Sequence, residues 1–209
     1  MSEYLTAINI AEAEYVEKRS RFIATLKPCE TEEDALRFIE EMRSKYWDAR
    51  HNCFAYVVDK GRTSRFSDDG EPHGTAGKPM FDVLSGSGLV NVAVVVTRYF
   101  GGVLLGTGGL VRAYSKSVKD ALEVCRRAQM VTCNLYSVVC EYSDHARLMK
   151  LLETENAMVK GSEFTDKVTV NFALREENEV AFHEKLTESF AARLEAQKTG
   201  CETVAFPLL

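Results

Sequence analysis

Asp68, Asp69, Glu71 and His73 fall within six residues, in the run Ser67-Asp-Asp-Gly-Glu-Pro-His-Gly-Thr-Ala-Gly-Lys-Pro-Met80. Carboxylates and an imidazole this close in sequence could hold a divalent cation or work as an acid–base pair. The spacing matches no EF-hand loop. Asp-Gly and Glu-Pro are also ordinary turn chemistry. The same residues therefore fit an ordered turn whose acids pair with nearby arginines. Thr75 and Lys78 stand at the start of the helix that follows and could add to an anion pocket.

The second group is Arg98-Tyr-Phe-Gly-Gly-Val-Leu-Leu-Gly-Thr-Gly-Gly-Leu-Val-Arg112. A buried strand ends at Arg98, a loop carries Gly101, Gly102, Gly106, Gly108 and Gly109, and a helix follows. Backbone N–H groups at a helix start favour an anion, and Arg98 and Arg112 could both fork onto a phosphate or carboxylate. The known phosphate fingerprints fail. A Walker loop needs Lys where Thr107 stands, and G-x-G-x-x-G needs Gly where Val111 stands. A tight turn that lets strand and helix pack closely explains the glycines equally well.

Other reactive side chains form no recognisable set. The six cysteines include no C-x-x-C pair, so a zinc ribbon or thioredoxin-like motif is not expected. No G-x-S-x-G nucleophile elbow occurs. His51, His145 and His183 fit structural or surface positions. No metal and no cofactor is expected.

Composition narrows the partners. Of the 13 glycines, 11 lie between Gly61 and Gly109, which marks this stretch as the place where backbone approaches something closely. Residues 1–129 hold 18 Lys/Arg and 18 Asp/Glu, whereas 130–209 hold 8 and 13 and supply the whole net charge of −5. Bulk electrostatics gives nucleic-acid binding no support, so any such binding must use a local patch. The longest aliphatic run, 92–96, is far too short to span a membrane. With no signal-peptide pattern at the start, a cytoplasmic protein with reduced thiols is expected.

The elements that must position these residues follow from periodicity. Residues 4–27 alternate as two strands around a turn at 17–20. Thr31 caps a helix to about Tyr46, with Glu32, Glu33 and Asp34 at its positive end. A buried strand at 53–58, a polar loop at 60–74 and a short helix at 76–84 follow. The strand at 89–97 carries the strongest β signal, and a long helix is predicted over 110–127. From there the order is strand 131–142, helix from Ser143, strands 158–164 and 167–174 about Thr165-Asp166, helix from about Glu176, and strand 203–206. That βαββαβ order is a ferredoxin-like split βαβ module. The chain reads as α+β, with domains 1–129 and 130–209.

Three runs carry a family resemblance: Ser67-Asp-Asp-Gly-Glu-Pro, Gly74-Thr-Ala-Gly-Lys-Pro-Met, and Val94-Val-Val-Thr-Arg-Tyr-Phe-Gly-Gly-Val-Leu-Leu-Gly-Thr-Gly-Gly-Leu-Val-Arg-Ala. With Lys18-Arg-Ser-Arg-Phe-Ile-Ala and His51-Asn-Cys-Phe-Ala-Tyr, they resemble the IMPACT family in its bacterial, YigZ-type form. The resemblance implies an N-terminal β-α-β domain like one in a small-subunit ribosomal protein and like domain four of elongation factor G. It implies a ferredoxin-like second domain resembling the C-terminal domain of elongation factor G. Small-molecule kinases share the fold superfamily, but their serine-rich loop is replaced here by Gly106-Thr-Gly-Gly-Leu.

Eukaryotic relatives act in translational control during amino-acid starvation. The resemblance therefore implies a translation-associated protein, more readily a binding protein than an enzyme. It would bind RNA or ribosome phosphate through Arg98, Arg112 and the 101–109 loop, with Arg65 and Lys78 as helpers. Two alternatives stand beside it. One is a hydrolase or phosphate-substrate enzyme using Asp68, Asp69, Glu71 and His73. The other is a protein-interaction module with a translation-regulatory protein partner.

Overall fold

The computed structural model describes residues 3–208 and separates into two compact units, Tyr4–Gln129 and Met130–Phe206. In the first, β1 (Tyr4–Ala7) precedes a hairpin of β2 (Ala11–Glu17) and β3 (Ser20–Pro28). The hairpin turns on Lys18 and Arg19, both at positive φ. Helix α1 (Glu32–Lys45) follows, then β4 (His51–Val58), β5 (Thr63–Ser67), α2 (Gly77–Gly86), β6 (Val92–Tyr99) and α3 (Gly106–Glu123). The sheet order is β2-β3-β6-β4-β5, with every neighbouring pair antiparallel.

Strand β6 lies at the centre, and its valines explain why. Val92, Val94 and Val96 face α2 and α3 with Phe22, Leu26, Cys53, Met80 and Tyr114. Ala93 and Val95 face α1 with Phe38, Ile39 and Tyr56. A strand buried on both sides reads as a continuous apolar run rather than an alternation. Helix α1 starts where its cap lies: the Thr31 hydroxyl accepts from the Asp34 N–H, and the Asp34 carboxylate accepts from the Thr31 N–H.

The second unit runs β7 (Arg127–Cys140), α4 (Tyr142–Thr154), β8 (Met158–Phe164), β9 (Val168–Arg175), α5 (Glu179–Phe190) and β10 (Ala196–Pro207). Strand β9 lies between β7 and β8, antiparallel to both, and β10 pairs with β7. Leu148 and Leu152 from α4 and Phe182, Leu186 and Phe190 from α5 cover one face. This is the ferredoxin-like arrangement that the order of elements predicts, and the whole chain is α+β.

Three local expectations need correction. The span 4–27 holds three strands, because β1 separates from the hairpin. The polar stretch 60–74 contains β5, an edge strand whose Thr, Ser and Arg side chains hide the β pattern. Helix α3 begins at Gly106, so Gly106, Gly108 and Gly109 belong to its first turn and the loop proper is only 100–105.

Gly101 shows what that loop demands. A Cβ there would stand 2.0 Å from the carbonyl carbon of Arg19, so the loop lies directly against the hairpin turn. The Gly101 N–H also donates to the Ser20 hydroxyl at 3.1 Å. Gly101→Ala is expected to cost about 1–3 kcal/mol by forcing these backbones apart. Gly200→Ala, whose Cβ would meet nothing within 4 Å, supplies the control. Chemical unfolding of both variants checks this, and equal stability of the two would contradict it.

Candidate functional site

Residues 67–77 fold around two aspartates. Asp68 accepts from the N–H groups of Gly74, Ala76 and Gly77 at 2.8, 3.0 and 2.8 Å. It thereby satisfies the backbone N–H groups at the buried start of α2, which has no other side-chain cap. Burial alone would raise this carboxyl, but the three backbone donors outweigh it and hold it below its ordinary range. Gly77 completes the turn, since a Cβ there would stand 2.6 Å from the Ser67 backbone. Asp69 accepts from the Asn52 N–H at 2.7 Å and from Arg43 at 3.0 Å, which ties the turn to β4 and α1.

Glu71 goes elsewhere. Its Oε1 accepts from Arg98 Nη1 at 2.6 Å and from the Tyr114 hydroxyl at 2.8 Å. Arg98 and Glu71 are only 7% and 8% exposed, so the pair is buried beneath α3. The strand register explains the placement. Arg98 continues the Val92, Val94, Val96 side of β6, opposite Phe22 on β3 and His51 on β4. Its guanidinium lies 5.4 Å from the Phe22 ring centroid and 5.7 Å from that of Phe100. Cys53 and Tyr114 extend the buried polar group through a 3.4 Å contact of thiol and hydroxyl. Burial pushes both of these groups well above their ordinary pKa values, so both stay protonated.

The four residues singled out for acid–base chemistry thus divide. The three carboxylates are engaged by different donors, and His73 is fully exposed, 3.7 Å from Asp68. Among the described residues, no group of three His, Cys, Asp or Glu is arranged to hold a metal ion. Among the described residues, no helix is long and apolar enough to cross a membrane.

The glycine loop presents a different surface from the one its flanking arginines suggest. Arg98 faces inward onto Glu71, because strand alternation turns it toward α3. Arg112 is exposed on α3, and its guanidinium reaches back over the first turn, where a Cβ on Gly108 would lie 3.9 Å from it. That turn has no side-chain cap. Arg112 shares a cavity of about 300 Å³ with Lys18, Lys116, Glu17 and Tyr15. Lys116 pairs with Asp120, and Glu17 accepts from the Tyr15 hydroxyl, which leaves Lys18 and Arg112 without ion pairs among the described residues. Beside them Phe100, Val103 and Leu104 are exposed, Leu104 by 83%. Arg65 lies in mid-β5 opposite Tyr56, and Lys78 pairs with Asp82 along α2. Neither lines this cavity.

Sequence reasoning missed Lys18 and Arg19 as members of the loop surface. The available signal was two cations between alternating strands, but only the close approach at Gly101 joins that turn to residues 80 positions away.

Comparison with known proteins follows these features. The Impact N-terminal domain matches residues 18–122, and a domain of unknown function, DUF1949, matches 138–193. An IMPACT family member from Haemophilus influenzae is 39% identical over 200 residues, covering 94% of this chain and 97% of the relative. The YigZ member from Escherichia coli is 40% identical over 174 residues, covering 82% and 85%. A solved structure described only as that of a hypothetical protein is 36% identical, covers 95% of this chain and 98% of its own, and superposes with a TM-score of 0.61.

The buried pair has a direct test. Arg98→Met alone strands the Glu71 charge and is expected to cost about 3–5 kcal/mol. The double variant Arg98→Met, Glu71→Gln removes both charges and should recover part of that loss, as measured by a double-mutant cycle in urea. Additive losses would show that the pair is not coupled.

Proposed function

The chain belongs to the IMPACT family, and from that premise we propose that it is a translation-associated regulatory protein that binds RNA or ribosome phosphate through the surface built on loop 100–105. Family membership supports the translation-related role. The observation that carries the binding reading is the convergence of free cations on an uncapped helix start. Lys18 and Arg112 share a cavity there, Arg112 overlies the first turn of α3, and Gly101 locks Lys18-Arg19 beside them. Helix N–H groups, a guanidinium and an ammonium suit a phosphate oxygen.

The neighbouring Phe100 and Leu104 offer apolar and aromatic surface to an unpaired base, so a single-stranded or looped RNA suits the surface better than a regular duplex. Arg98 acts as a positioning residue in this reading: it anchors the end of β6 from which the loop departs. The neutral balance of the first 129 residues is no obstacle, because the cations are local and Glu17 is the one acid that shares their cavity. The acid–base alternative loses ground on the same facts, since Asp68, Asp69 and Glu71 already have structural partners.

The test is charge reversal at exposed positions that leave the core alone. Lys18→Glu, Arg19→Glu and Arg112→Glu together are expected to weaken RNA or ribosome binding about tenfold or more at low salt. They should also flatten the plot of log K against log salt by about 2. Titration of a fluorescent RNA at several salt concentrations reads both quantities. Unchanged affinity and slope in a folded triple variant would remove this surface from consideration.

A further inference from the structure

A second cavity, of about 430 Å³, opens on the other side of the loop, where β4 begins and β6 ends. That is within the ligand-sized range of roughly 300–1,000 Å³. Arg50, His51, Arg98, Tyr99, Phe100 and Leu104 line it. None of the hairpin and helix cations of the loop surface does.

The hydrogen bonding fixes what this cavity offers. His51 Nδ1 lies 2.9 Å from the carbonyl oxygen of Asp69. A carbonyl only accepts, so Nδ1 carries a proton, and in the neutral form of the ring Nε2 is then the acceptor. Among the described residues the ring's one hydrogen bond is the one at Nδ1. Arg50 is exposed and has no ion pair there either. Arg98 is more than nine-tenths buried; Nη1 is held by Glu71, while Nε has no hydrogen-bond partner. The single acid on the wall, Asp48, accepts from the Tyr99 hydroxyl at 2.7 Å. Phe100 and Leu104 supply an apolar side that is 54% and 83% exposed.

A cation, a second guanidinium behind it, an imidazole acceptor and an aromatic wall together describe a ligand. It needs an anionic group, a hydroxyl that donates, and a flat apolar body. We propose that this cavity binds one ribonucleotide unit. The phosphate lies against Arg50 with Arg98 behind it, a ribose hydroxyl donates to His51 Nε2, and the base lies against Phe100 and Leu104. The unit is either a free nucleotide or the phosphorylated end of an RNA chain. The proposal does not depend on Arg112 or the hairpin.

Isothermal titration of the full chain separates these cases, with adenosine 5′-monophosphate, adenosine and ribose 5-phosphate as ligands. The same short RNA with a 5′-phosphate or a 5′-hydroxyl is titrated alongside. Adenosine and ribose 5-phosphate are expected to bind about tenfold or more weakly than the whole nucleotide. Arg50→Ala should weaken nucleotide binding by a similar factor. So should His51→Asn, which keeps a donor for the Asp69 carbonyl but removes Nε2. Lys198→Glu, an exposed charge change in the second unit, should leave it unchanged.

Binding of the free nucleotide identifies that source. Binding only of 5′-phosphorylated RNA, with the same sensitivity to Arg50→Ala, identifies the RNA end. If neither ligand binds, or if binding ignores Arg50 and His51, the proposal is overturned. Absence of nucleotide binding, together with RNA binding that is lost only in the Arg112→Glu variant, would overturn it while leaving the loop surface intact.

Discussion

A guanidinium and a carboxylate buried together beneath a helix must satisfy each other, and the Arg98–Glu71 pair is the constraint on which this part of the molecule turns. Glu71 comes from the turn before α2, Arg98 from the end of the central strand, and Tyr114 from α3. One carboxylate thereby ties three elements together at the end of the sheet where the loop leaves. Asp68 and Asp69 hold the turn that delivers Glu71, one through the start of α2 and the other through β4 and α1. The acidic run thus forms the scaffold of this end of the sheet.

That scaffold frees other groups for a ligand. Asp68, Asp69 and Glu71 are committed inward, and Lys18, Arg50 and Arg112 have no ion pair among the described residues, while Glu17 and Asp48 beside them accept from tyrosine hydroxyls. Loop 100–105 divides them into two settings. On one side are an uncapped helix start, Arg112 and the hairpin turn; on the other are Arg50, His51 and an aromatic wall. A phosphate backbone suits the first and a single nucleotide the second, so one RNA strand crossing the loop would satisfy both.

Much of the fold was legible because local rules and burial agree. The valines of β6 require two apolar neighbours, and two helical layers provide them. Thr31 and Asp34 mark the start of α1 in sequence and in space. The βαββαβ order of the second unit follows from its periodicity. Strand β5 was hidden because an edge strand has little apolar surface to bury. The start of α3 was read four residues late because glycine in a first helical turn looks like loop. Arg98 is placed by its neighbours in the strand. Continuing the even-numbered side of Val92, Val94 and Val96 turns it inward, and a buried arginine then requires an acid. Glu71 was visible as a candidate, but no spacing rule joins it to a residue 27 positions away.

The central claim is that the end of the sheet built around loop 100–105 is the surface that meets RNA. Amide hydrogen–deuterium exchange of the full chain, with and without purified ribosomes, tests it most directly. Slowed exchange at 17–20, 50–51 and 100–112, with β5 and α4 unchanged, is the expected result. Protection of β5 or α4, with 17–20 and 100–112 exchanging as in the free protein, would contradict it.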